Sequence, residues 1–178
     1  MTDIAGKPPN IATRALSAIA AFCIWIAGVG LVAMTAVVGW QVFGRYVLNS
    51  TPTWSEPVTL QLMGWFILLG AAVGVRENFH LGLDLVHHVV PKAVGRLMDM
   101  ATLVLLIGFG LAMSWYSGLL VVGTWAATLP SLGLPGGFDY LPQAFGGLLI
   151  SAFAAERLVH VVSGHVPVAA VKTGVELV

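Results

Sequence analysis

The chain has 178 residues, of which 58% are hydrophobic and 9% charged, with a mean hydropathy of +0.92. Soluble domains carry about 25% charged residues, so this composition excludes a water-soluble globular domain and points to an integral membrane protein. Eight basic residues balance eight acidic ones, leaving no basic field to recruit nucleic acid, and the single cysteine, Cys23, excludes an intrachain disulfide or a cysteine-based metal cluster.

Residues 1–14 read as a polar tail with Pro8, Pro9 and Asn10, carrying Lys7 and ending at Arg14. The apolar run from Ala15 to Trp40 is about 26 residues long, whereas the apolar region of a signal peptide spans roughly 7–15. It is therefore read as a retained first span over about 15–44, with Trp40, Tyr46 and Trp54 forming an aromatic belt at its far end. Thr53-Trp54-Ser55-Glu56 fits a capping box, and Pro57 is tolerated in a first helical turn, so a second span is predicted over about 56–76. Arg76 at its end places a cation where the helix dipole is negative.

Beyond it, His80, Asp84, His87 and His88 recur at one-face helical spacing among Leu81, Leu85, Val86 and Val89. That pattern predicts a short amphipathic helix lying in the interface over about 80–90, closed by Pro91. A third span follows over about 97–129, longer than a hydrocarbon core about 30 Å thick requires, and Pro130 stops it. The uncharged Gly- and Pro-rich stretch 131–137 suits a compact turn. Asp139 is the expected N-cap of a fourth span over about 140–162, with Pro142 in the first turn and Glu156 and Arg157 where the helix leaves the core. Residues 164–178 form a second tail. The fold class is thus an all-α integral membrane protein with four transmembrane helices and an interfacial helix between the second and third.

Four spans put both termini on one side. Lys7, Arg14, Arg76, Lys92, Arg96, Arg157 and Lys172 share that side against Arg45 on the other, and the positive-inside rule makes the richer side cytoplasmic.

The apolar runs of the first three spans contain no ionisable residue, although a transport path generally needs one near mid-membrane or a helix broken there. Ser114, Ser117 and Thr124 are expected to bond to their own i−4 carbonyls. All five histidines fall near or outside the span ends, which argues against haem held between helices, and a metal on His80, Asp84 and His87 or His88 would lack a closed cage. Those residues are read as the polar face of the interfacial helix. Gly70 and Gly74 form a GxxxG pair, with Ser114/Gly118 and Gly147/Ser151 similar, and such ridges allow helices to approach closely in lipid.

Trp40-Gln41-Val42-Phe43-Gly44-Arg45-Tyr46, Trp54-Ser55-Glu56, Gly70-Ala71-Ala72, and then Arg76, His80 and Asp84 form a series. In this ensemble the chain resembles the small membrane subunit, DctQ type, of tripartite ATP-independent periplasmic (TRAP) transporters, in motif up to Pro91 and in span count beyond it. Pro57 stands where many members carry a second acidic residue. The resemblance implies a bacterial inner-membrane, non-catalytic subunit that scaffolds a large membrane subunit. A periplasmic solute-binding protein would deliver an organic acid, and a sodium gradient would drive its uptake. Arg45, Trp54, Glu56, Gly70, Gly74, Arg76, His80 and Asp84 are the expected partner contacts. No cofactor, catalytic residue or metal ligand is expected. Two alternatives from other classes are the membrane anchor of a respiratory redox complex and a small self-sufficient exporter, the latter weakened by the missing intramembrane carboxylate.

Overall fold

A computed structural model describes residues 11–77 and 92–162. The expected interfacial helix over 80–90, with His80 and Asp84, lies outside the described residues, as do most of the two tails.

Four long α-helices make up the described chain: α1 (Ile11–Tyr46), α2 (Ser55–Glu77), α3 (Lys92–Gly123) and α4 (Leu141–Val162), the last preceded by a 3-10 turn, Gly136–Tyr140. Each is long and apolar enough to cross a membrane. At 1.5 Å per residue α2 and α4 are about 33–35 Å long, close to one hydrocarbon thickness, whereas α1 and α3 reach about 48–54 Å and must tilt or project.

The helices pack as a row in the order α1, α2, α4, α3. α1 offers α2 a stripe of small residues, Ala20, Cys23 and Ala27, spaced by three and four. Leu69, Ala72, Val73 and Val75 of α2, Leu103 of α3, and Ile150, Phe153 and Ala154 of α4 complete the core. Large apolar side chains such as Phe22, Trp25, Leu105 and Phe109 face outward. This suits lipid, which gives no hydrophobic reason to hide them, while close approach rewards small residues between helices.

The tightest crossing joins α3 to α4. A Cβ on Gly147 would lie 2.6 Å from the Gly110 carbonyl oxygen and 2.9 Å from the Ser114 nitrogen, and one on Gly110 would strike the Ser151 hydroxyl. The buried Ser151 hydroxyl donates to Gly147 O of its own helix at 2.9 Å and to Ile107 O of α3 at 3.3 Å. Between α2 and α4, Gly146 leaves room for Leu68, whose Cβ would be 2.7 Å from a Cβ there.

Several local expectations are corrected. Thr53 makes no capping bond; the start of α2 is held by Ser55, fully buried, whose N–H and hydroxyl both reach Pro52 O at 3.3 and 2.8 Å. The turn at Pro52 presents that carbonyl to Ser55, so Thr53 stays exposed. The third helix ends at Gly123, before Pro130, because residues 124–135 fold into turns closed by Gly136 N to Ala127 O at 2.6 Å and Leu129 N to Leu134 O at 2.8 Å, with Gly133 at φ 66. Asp139 does not cap α4: it lies within the 3-10 turn that runs directly into the helix. Thr124 bonds its own Leu120 carbonyl at 2.7 Å, but neither Ser114 nor Ser117 makes such a bond.

Candidate functional site

The candidate residues sort to the two opposite ends of the helices and to one flank. At the end where α2 and α4 finish, Arg76 turns inward. Its Nε donates to Glu156 Oε2 at 3.1 Å, and its guanidinium lies 5.9 Å from the centre of the Phe153 ring. The Glu156 side chain is 8% exposed and that of Arg76 22%. Glu156 is thus buried within the helix packing, paired to a residue expected to face a partner.

Two further arginines complete this end. Arg157 of α4 donates to Val75 O of α2 at 2.8 Å, and Arg96 of α3 donates to Val161 O at 2.7 Å and Val162 O at 3.3 Å of α4. The last carbonyls of a helix have no intrahelical donor and carry the negative end of its dipole, so a cation from a neighbouring helix both satisfies and neutralises them. The sequence showed these as charges at span ends; the pairing across helices has no signature in linear spacing.

At the opposite end, Arg45 sits exposed in the last turn of α1, and Trp54 and Glu56 are exposed at the start of α2. Glu56 opens onto a cleft of about 530 Å³ between the starts of α2 and α4, bordered by Gln61, Asp139 and Gln143. Gln61 Nε2 donates to Phe138 O at 2.9 Å, fastening the 3-10 turn to α2, and Phe138 stacks on Trp125 at 5.9 Å. The Gln143 Oε1 atom is shielded from solvent and has no donor among the described residues.

Gly70 and Gly74 lie on the flank. A Cβ on either would meet nothing within 4 Å, so these glycines serve no close crossing among the described residues. The close crossings use Gly110, Gly146, Gly147 and Ser151; of these only the Gly147/Ser151 pair stood out in the sequence. His80 and Asp84 lie outside the described residues. Among the described residues no three His, Cys, Asp or Glu side chains gather as metal ligands.

The sequence model of the family described as tripartite ATP-independent periplasmic transporters, DctQ component, matches residues 34–164. Three curated relatives are similar. The C4-dicarboxylate TRAP transporter small permease protein DctQ of Vibrio cholerae is 28% identical over 93 residues, 52% of this chain and 37% of that protein. Its namesake from Pseudomonas aeruginosa is 30% identical over 123 residues, 66% of this chain and 59% of that protein. A putative TRAP transporter small permease protein of Haemophilus influenzae is 30% identical over 132 residues, 72% of this chain and 80% of that protein. The match thus spans less than two thirds of the length of the first two. These relatives are transport components, and nothing in them favours a respiratory anchor.

Proposed function

Because this chain belongs to the DctQ family of TRAP transporter small membrane subunits, we propose that it is the scaffold on which a large membrane subunit carries out sodium-driven uptake of an organic acid. A periplasmic solute-binding protein delivers that acid to the complex. The chain itself is a multi-pass inner-membrane protein. Both termini and the Arg76 end face the cytoplasm, and the Trp54 end faces the periplasm, a reading supported by the seven-to-one distribution of basic residues.

One observation carries the scaffold reading. The charged groups buried among the described helices are committed to neighbouring helices of the same chain: Arg76 to Glu156 and Arg157 to the Val75 carbonyl. Coupling an ion to a solute needs ionisable or broken-helix sites that can bind and release, and these groups are structural. α1 and α2 supply part of the partner contact, with Gly70 and Gly74, open to their surroundings, allowing a helix of the large subunit to approach closely.

Reconstitution tests this. Vesicles holding the chain with its large subunit and binding protein accumulate organic acid under a sodium gradient, and vesicles holding the chain alone do not. Accumulation by the chain alone would sink the scaffold reading. Replacing Gly70 and Gly74 together with Leu lowers co-purification of the large subunit while leaving membrane insertion of this chain intact; unchanged co-purification would remove only the glycine surface.

A further inference from the structure

The segment 124–138, which leads from α3 into the 3-10 turn, contains no charged residue. Its backbone is bonded within itself: Ala127 N to Thr124 O, Leu129 N to Leu134 O, Gly133 N to Leu129 O and Gly136 N to Ala127 O, with an isolated bridge between Thr128 and Pro135. Its large apolar side chains are nevertheless turned out. Val122, just before it, is 78% exposed, Trp125 50% and Leu134 41%. None of the three lines the cleft between the starts of α2 and α4, onto which the nearby carboxylates Glu56 and Asp139 open. A loop that faces water shows the reverse arrangement, with polar side chains outside and much of its backbone hydrated.

The depth of the segment follows from its attachment to α2. Gln61 Nε2 donates to Phe138 O at 2.9 Å, and a Cβ on Gly64 would lie 3.4 Å from the Pro142 ring. The base of the segment is therefore level with Gln61, and Ser55 to Gln61 spans about 9 Å of helix. Leu129, by contrast, borders the cleft together with Thr53 and Glu56, at the mouth of α2. Because α2 is about one hydrocarbon thickness long, residues 124–138 occupy the outermost band of the bilayer, where an interfacial element buries its apolar face about 5–10 Å deep.

We propose that the surface formed by Val122, Trp125 and Leu134 binds lipid, lying in the headgroup–acyl boundary of the leaflet at the Trp54 end and anchoring the α3–α4 hairpin there. The inference goes beyond the transporter reading and needs only that the four helices cross a bilayer. Internal bonding of the backbone is what permits it, since irregular chain at that depth has little water to turn to. Trp125 suits the boundary, where an indole keeps an apolar body and a polar tip in matching surroundings. Lipid is favoured over the large subunit as the occupant because the surface continues an exposed face of α3, Trp115, Leu119 and Val122 at i, i+4 and i+7. That face stands at the end of the row away from α1, whereas the partner contact assigned above lies on α1 and α2.

The test places spin labels at Val122→Cys, Leu134→Cys and, as a water-facing reference, Ser50→Cys, each in a Cys23→Ala background that removes the single native cysteine. The full chain is measured in phosphatidylethanolamine–phosphatidylglycerol nanodiscs, alone and together with the large subunit, against oxygen, which concentrates in lipid, and a nickel chelate, which stays in water. The ratio of oxygen to nickel accessibility is expected to be severalfold higher at positions 122 and 134 than at position 50, and to stay so when the large subunit is present. A ratio no higher than the reference at either labelled position would overturn the proposal by showing a water-facing loop. Loss of access to both relaxants at either position on adding the large subunit would overturn it too, by giving the surface to a protein partner. Neither result would touch the assignment to the transporter family.

Discussion

Arg76 and Glu156 stand 80 positions apart in sequence and 3.1 Å apart in space, joining the last turn of α2 to the last third of α4. The pair is asymmetric. Glu156 is almost wholly buried and has one oxygen shielded without a donor among the described residues, while Arg76 also rests on Phe153 and its side chain is 22% exposed. Its two members therefore respond differently to loss of the partner.

Removing Arg76 strands a buried carboxylate, whereas removing Glu156 strands a cation that can turn toward water. Arg76→Ala is expected to cost about 2–4 kcal/mol and Glu156→Ala about 1–2 kcal/mol, the exposure of Arg76 reducing the second figure. Thermal unfolding in detergent measures both. The exchange Arg76→Glu/Glu156→Arg should recover part of the loss, and equal damage from the two single variants would contradict the asymmetry.

Gly147→Ala places a methyl against the Gly110 carbonyl and the Ser114 nitrogen, both backbone atoms that yield only if α3 moves. A loss of about 1–3 kcal/mol is expected. Gly74→Ala, where nothing stands within 4 Å, should leave the isolated chain within about 0.5 kcal/mol of wild type. The same unfolding assay decides, and a Gly74 variant as damaged as the Gly147 variant would mean that the flank is packed after all.

Arg96→Ala withdraws the donor from the Val161 and Val162 carbonyls. Because Arg96 is exposed, a cost of about 1 kcal/mol confined to the end of α4 is expected. Hydrogen exchange should quicken at amides 158–162 and stay unchanged near Gly147.

Alkaline phosphatase fused within residues 131–135 should be active, and the same reporter fused after Val162 inactive. The reverse pattern would invert the chain in the membrane and move the Glu56 cleft to the cytoplasmic side.

The four helices were legible because each is a long apolar run punctuated by charge, proline or glycine, a signal that depends only on local composition. What escaped was pairing. Arg76 read as a residue facing outward because dipole and headgroup arguments stop at the helix that carries it, and nothing near it in sequence announces Glu156. The GxxxG at Gly70 and Gly74 was the more visible small-residue motif, yet the close crossing inside the chain uses Gly110 against Gly147 and Ser151. A helix face has no label saying which neighbour it meets. The capping of α2 failed for a similar reason: Thr53 has the right spacing, but the turn at Pro52 hands its carbonyl to Ser55 instead.

The row order α1, α2, α4, α3 also sets a timetable for biosynthesis. Helices leave the ribosome in the order α1, α2, α3, α4, so α3 emerges before the helix that packs it to the others. Until α4 arrives, Gly110 faces lipid and Glu156, the partner of Arg76, has yet to be made. The first hairpin can settle early, but the assembly closes only when the last helix wedges between its second and third predecessors. A nascent chain truncated after Gly123 would hold α3 and the first hairpin without the helix that packs them together, and Arg76 without its carboxylate.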